Sequence, residues 1–122
     1  MPFQIIVQAY NMAVPCTILD EGASISIMSS TTWQALGSPQ LVLVTHILLA
    51  FNKGTSQHLG ILPKIPITFG GKTIYINMMA VQGPLDLNLL LGRDYVYVME
   101  ALISSLFHVV CFPHEGRIVT ID

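Results

Sequence analysis

The sequence predicts a single mostly-β domain spanning residues 1–122, and three observations carry that reading. Apolar residues fall in short runs rich in Ile, Val, Leu and Thr, which suits strands more than helices. Gly, Pro and Asn punctuate the runs, with N-K-G-T at 52–55 and G-G at 70–71 as hairpin turns. The length, 122 residues, suits one domain, and no low-complexity stretch or linker divides it.

The elements follow in order. Residues 3–9 (F-Q-I-I-V-Q-A) partly alternate and form a strand, Y-N at 10–11 turns, and 12–19 return as a second strand. Pro15 has no amide donor, so that strand has an open edge there. After the loop D-E-G-A-S, residues 25–28 form a short strand. S-S-T-T-W-Q-A-L-G (29–37) reads as a short helix, with Ser29 or Ser30 as N-cap and Gly37 closing the C-terminus. Trp33 and Leu36 share one face. A strand at 41–51 follows, then one at 57–69 broken by Pro63 and Pro66, then 72–81. Q-G-P at 82–84 is a loop, N-L-L-L-G (88–92) a buried strand, and 93–102 carries a helical period. F-H-V-V-C-F, P-H-E-G and R-I-V-T-I make a closing hairpin.

Composition narrows function. Hydrophobic residues make up 52% of the chain and charged residues 10%, against about 25% charged in an ordinary domain. So little charge leaves apolar surface exposed, and such surface marks an interface, most simply with a second copy of the chain. The net charge is −2, with no basic cluster, which argues against nucleic-acid binding by this segment. The strongly apolar stretch 41–51 contains His46 and is too short to span a bilayer, so no membrane partner is expected. No signal peptide is visible. Cys16 and Cys111 sit in apolar runs and are expected as two buried free thiols. The chain stops inside a strand, I-V-T-I-D, which suggests a segment of a longer polypeptide.

Chemistry concentrates at T-I-L-D-E-G-A-S (17–24). An acid at the end of a buried strand, with Gly two residues on, can be held by backbone amides. Hydrolysis of a peptide by carboxylates alone needs two acids face to face, one taking a proton from water and one giving a proton to the substrate. Asp20 and Glu21 are not that pair, because consecutive side chains in an extended or turn segment diverge. Asp86, Asp94 and Asp122 lack the following glycine. The chain therefore holds one such acid, and a two-fold dimer supplies the second at its axis. N-L-L-L-G-R (88–93) faintly echoes T-I-L-D-E-G (17–22), each an apolar strand ending at a glycine loop that feeds a short helix.

Other motifs read more plainly. C-F-P-H (111–114) has metal-like spacing, but zinc wants four ligands and no second pair exists. His46 and His58 read as strand residues, the methionines at 78–79 and 99 as core filler, and G-G as a turn rather than a phosphate loop.

I-L-D-E-G-A-S resembles the active-site motif of the retropepsins, an apolar pair before Asp-Thr/Ser-Gly-Ala. L-L-L-G-R-D (89–94) resembles their second signature, and 48–60 stands where the family has its flap. The closing hairpin 106–121 matches the C-terminal region, so the resemblance covers nearly the whole chain. The wording L-L-G-R-D-Y-V, with C-F-P-H-E-G-R-I-V after it, is most similar to proteases of plant Ty3/gypsy-type LTR retrotransposon polyproteins. The resemblance implies a retropepsin-like closed-barrel fold with one or two short helices, forming one half of a two-fold dimer. It implies an aspartic endopeptidase in which each copy gives Asp20 to a water-activating pair, with no metal or other cofactor. Gly22, Ala23 and Ser24 would complete the active-site loop. Asn52, Lys53, Gly54, Thr55 and Ser56 would form the flap, and Gly92, Arg93 and Asp94 would support the loop. The partners implied are a second copy and a polypeptide substrate, its own polyprotein; the location implied is cytoplasmic, in virus-like particles.

Two departures stand out. Glu21 replaces the Thr or Ser whose hydroxyl bonds across the family's dimer axis. Ser24 replaces an acid that, in viral relatives, pairs with the Arg of the G-R motif, leaving Arg93 to pair with Asp94, with Glu21 or with nothing. A catalytically silent dimerisation or peptide-binding module of the same fold is the competing reading.

Overall fold

In the computed structural model of the chain, residues 3–43, 57–83, 85–104 and 106–122 are described. The elements are β1 (Phe3–Ala9), β2 (Met12–Leu19), β3 (Ile27–Ser29), α1 (Ser30–Ala35), β4 (Gln57–Phe69), β5 (Lys72–Gln82), β6 (Leu89–Leu91), α2 (Arg93–Met99), β7 (Leu102–Ser104), β8 (Val109–His114) and β9 (Arg117–Ile121). The expected flap, Asn52, Lys53, Gly54, Thr55 and Ser56, lies outside the described residues, as do His46 and the 44–51 part of the expected strand. Of that strand's start, Val42 bridges Ile61 by two backbone hydrogen bonds of 2.7 and 2.8 Å.

Six strands close a barrel in the order β1-β2-β6-β3-β5-β4, and β7-β8-β9 form a separate three-stranded sheet. Alternation in β1 puts Phe3, Ile5, Val7 and Ala9 inside and Gln4, Ile6 and Gln8 outside. The echoing segments become parallel neighbours, with Thr17, Ile18 and Leu19 of β2 beside Leu89, Leu90 and Leu91 of β6. Both strands therefore leave the barrel at the same end, and that end carries Asp20 and Gly92. The barrel interior is filled by Leu19, Met28, Ile65, Ile67, Met78 and Leu91, among others. Met78, Met79 and Met99 are all buried, as core residues. Met79 points to the other face of β5, into a smaller cluster with Ile27 and Val81.

Several local readings change. Pro63 and Pro66 do not break the strand at 57–69; β4 runs through both. Pro63 and Lys64 instead fall in a bulge between Leu62 and Ile65, with Lys64 at φ +47° and its N–H donating to Asn77 Oδ1 at 2.9 Å. The bulge absorbs the missing proline donor. Cys16 is exposed and Cys111 half-buried, so neither is a buried thiol, although both are free. The cause is a second bulge, where Pro15 and Cys16 face Ile6 and Cys16 adopts φ +53°, turning its side chain outward. The helix expected over 93–102 stops at Met99, because Glu100 takes a left-handed conformation (φ +56°) without being glycine. The chain then starts β7, an element the sequence did not predict.

Other expectations hold. Ser29 Oγ accepts from Thr32 N–H at 3.2 Å and caps α1. Trp33 and Leu36 pack on the main core. Gly70 and Gly71 turn the β4–β5 hairpin at φ +57° and +86°. Lys72, just after that turn, donates Nζ to Met99 O at 3.0 Å and Pro113 O at 2.8 Å, tying the barrel to the end of α2 and to β8.

Ile65 is fully buried while Ile6 is 65% exposed. Ile65→Ala is expected to lose roughly 2–5 kcal/mol, and Ile6→Ala under about 1 kcal/mol. Urea titration followed by circular dichroism checks the contrast; similar losses would contradict this core.

Candidate active site

Asp20 is the first residue beyond β2, half-buried, and its N–H donates to Leu91 O at 2.9 Å, extending the β2–β6 ladder by one bond. Its carboxylate is held locally: Gly22 N–H donates to Asp20 Oδ1 at 2.9 Å, and Ala23 N–H donates to Asp20 O at 3.1 Å. A Cβ on Gly22 would lie 3.1 Å from Asp20 Oδ1, a tight approach to which the carboxylate would have to give by a few tenths of an ångström. The loop thus presents a carboxylate held by a backbone amide, with one oxygen engaged in that bond.

The underside of this loop is set by Gly92. A Cβ there would sit 2.7 Å from both Ala23 O and Ile25 O, so no side chain fits. Arg93 N–H donates to Ala23 O at 2.8 Å, pinning the start of α2 to the loop. Asp94 supplies the second brace. Its Oδ1 accepts from Ser26 Oγ–H at 2.5 Å and from Tyr95 N–H at 2.8 Å, and its Oδ2 accepts from Ser26 N–H at 3.1 Å. Ser26 Oγ in turn accepts from Gly92 N–H at 3.0 Å. Ser26 is 1% exposed and was not singled out from the sequence. The signal was present in I-S-I-M, because a serine inside a buried apolar run must find partners.

The structure therefore brings together Asp20, Gly22, Ala23, Gly92, Arg93 and Asp94. Glu21 and Ser24 are exposed on the same loop. Of the pairings left open for Arg93, neither acid is taken: Asp94 serves Ser26, and no Arg93 ion pair with Asp94 or Glu21 lies within 4 Å. Glu21 and Arg93 instead line a cleft of about 700 Å³ with Val96, Tyr97, Glu100 and Ala101. Tyr95, on the opposite side of α2, is buried, and burial pushes its phenol pKa well up, so it stays neutral. Among the described residues no group of three His, Cys, Asp or Glu side chains is placed to hold a metal.

No family model and no curated protein matches the chain. Solved structures do. The retroviral protease-like domain of Ddi1 from Leishmania major superposes with a TM-score of 0.76 at 18% identity, covering 100% of this chain and 95% of that one. A retropepsin-like aspartic protease from Rickettsia conorii superposes with a TM-score of 0.64 at 19% identity, covering 84% of this chain and 76% of that one. The fold is retropepsin-like.

Ser26→Ala would strip the hydroxyl from both Asp94 and the buried Gly92 N–H. The expected loss is about 1–3 kcal/mol, against under about 0.5 kcal/mol for Ser24→Ala on the exposed side of the loop. Thermal melts of the two variants check this; equal shifts would contradict the bracing role of Ser26.

Proposed function

We propose that this chain is an aspartic endopeptidase that works as a homodimer, each copy contributing Asp20. The observation that carries the reading is the constellation at the barrel end: one carboxylate, held by the Gly22 amide and supported from below by Gly92. The retropepsin-like fold of the two solved relatives supports the same chemistry. A lone carboxylate can take a proton or give one, but cleavage by carboxylates alone needs both at once. A second copy related by a two-fold axis places a second Asp20 opposite the first, and the close pair then shares one proton. The ionised member draws a proton from the water between them as that water attacks the scissile carbonyl. The protonated member donates to the carbonyl oxygen, giving a gem-diol; as the C–N bond then breaks, the proton taken from water goes to the leaving nitrogen and the other carboxylate takes a proton back from the diol. No covalent intermediate forms.

The substrate is an extended peptide with apolar side chains on either side of the cut. Half-buried Ile25, Ile61, Leu85 and Leu90, packed around Ile27, Met79 and Val81, supply apolar surface for it. The likeness of L-L-G-R-D-Y-V to plant Ty3/gypsy-type proteases supports processing of a retrotransposon polyprotein, in the cytoplasm and in virus-like particles. Exposed Glu21 favours a second reading, a silent dimerisation or peptide-binding module, because two such acids at one axis repel.

Incubation of an unstructured protein substrate with wild type and Asp20→Asn across pH 4–7 separates the readings. Cleavage by wild type that falls at least about 10³-fold in Asp20→Asn supports the enzyme. Equal product from both would overturn it.

A further inference from the structure

We propose that Glu21 forms a cross-axis ion pair with the partner's Arg93, so that two symmetric Glu–Arg pairs hold the two Asp20 loops together. This rests on the dimeric reading above and specifies how that dimer tolerates Glu21. Any arrangement that brings two Asp20 residues together brings Glu21, one residue on, close to the axis. It also brings Arg93, because the Arg93 amide is bonded to Ala23 O of the same loop. Both side chains are exposed, and they line one cleft without an ion pair between them. Within one chain the acid is not neutralised by its neighbour. Asp94, the other acid next to Arg93, is engaged by Ser26 and the Tyr95 amide.

A two-fold axis turns this into complementarity. In an isologous contact, if Glu21 meets the partner's Arg93, then Arg93 meets the partner's Glu21. The repulsion between two acids at the axis is then offset by two guanidinium groups, each able to take a carboxylate by two parallel hydrogen bonds. Half-buried Val96 and Ala101, with Tyr97 at 86% exposure, lie along the same cleft and offer apolar area beside the pairs. Glu100 also lines the cleft, but it sits seven residues beyond Arg93, about 10 Å along the helix. It is therefore the internal control rather than the partner acid.

Charge swapping tests the pairing. Glu21→Arg and Arg93→Glu are prepared separately, with folding checked by circular dichroism, and dimerisation is followed by sedimentation velocity beside cleavage of an unstructured protein. Each variant alone is expected to raise the dimer Kd at least about tenfold, because each self-pairing sets like charges together. An equimolar mixture is expected to recover association and cleavage, since the mixed dimer regains both opposite-charge pairs. Glu100→Gln is expected to leave the dimer Kd unchanged. A wild type that dimerises and cuts, with a mixture no better than its components or single variants as tight as wild type, overturns the ion pair and leaves the enzyme reading standing. A wild type that is monomeric at all concentrations and inactive overturns both.

Discussion

The contact on which the rest of the structure depends is the approach of Gly92 to the back of the Asp20 loop. A backbone carbonyl from Ala23 and another from Ile25 occupy the space where a side chain would be. Nothing larger than hydrogen fits, so β6 can run into α2 directly beneath the loop. Ser26 then closes the circuit by accepting from the Gly92 amide and donating to Asp94. Loop, strand end and helix start are thereby joined by short polar bonds in a largely buried place, where such bonds are hard to exchange for water. The loop is braced without a hydroxyl at residue 21, through residues 26, 92 and 94.

The barrel explains why these parts meet. Parallel pairing of β2 with β6 brings two sequence-distant strand ends to one edge, with Leu19 beside Leu91. Asp20 continues that ladder through its own amide. The three-stranded sheet stands apart from the barrel's hydrogen-bonded ladder and is tied to it by packing and by Lys72, which donates to Pro113 O in β8 and to Met99 O at the end of α2. Leu102, Phe107 and Ile118 are each largely exposed in this C-terminal part of the chain. That apolar surface is where the low charge content of the chain becomes visible.

Much of this was legible in the sequence. Strand runs, the G-G hairpin, the Ser29 cap and the two glycine-terminated motifs all follow from local chemistry. The echo between 17–22 and 88–93 foreshadowed two neighbouring strand ends, although register and parallel pairing are tertiary facts. What escaped was conformational detail that glycine and proline did not announce. Cys16, Lys64 and Glu100 adopt positive φ without being glycine, and these three positions produced the outward thiol, the unbroken β4 and the early end of α2. At Lys64 the bond from its N–H to Asn77 Oδ1 on the neighbouring strand offsets that local preference. Ser26 was missed for a different reason: a serine in an apolar run signals a partner without saying which, and its partner lies 68 residues away.

Whether Asp20 acts with its own copy comes down to one distance in a crystal structure of the dimer without substrate. The two Asp20 carboxylates are expected to face each other across a two-fold axis, with nearest oxygens in hydrogen-bonding reach at about 2.6–3.2 Å or bridged by a single water. A dimer that buries a different face and leaves the carboxylates more than about 10 Å apart, too far for one water to touch both, would contradict it.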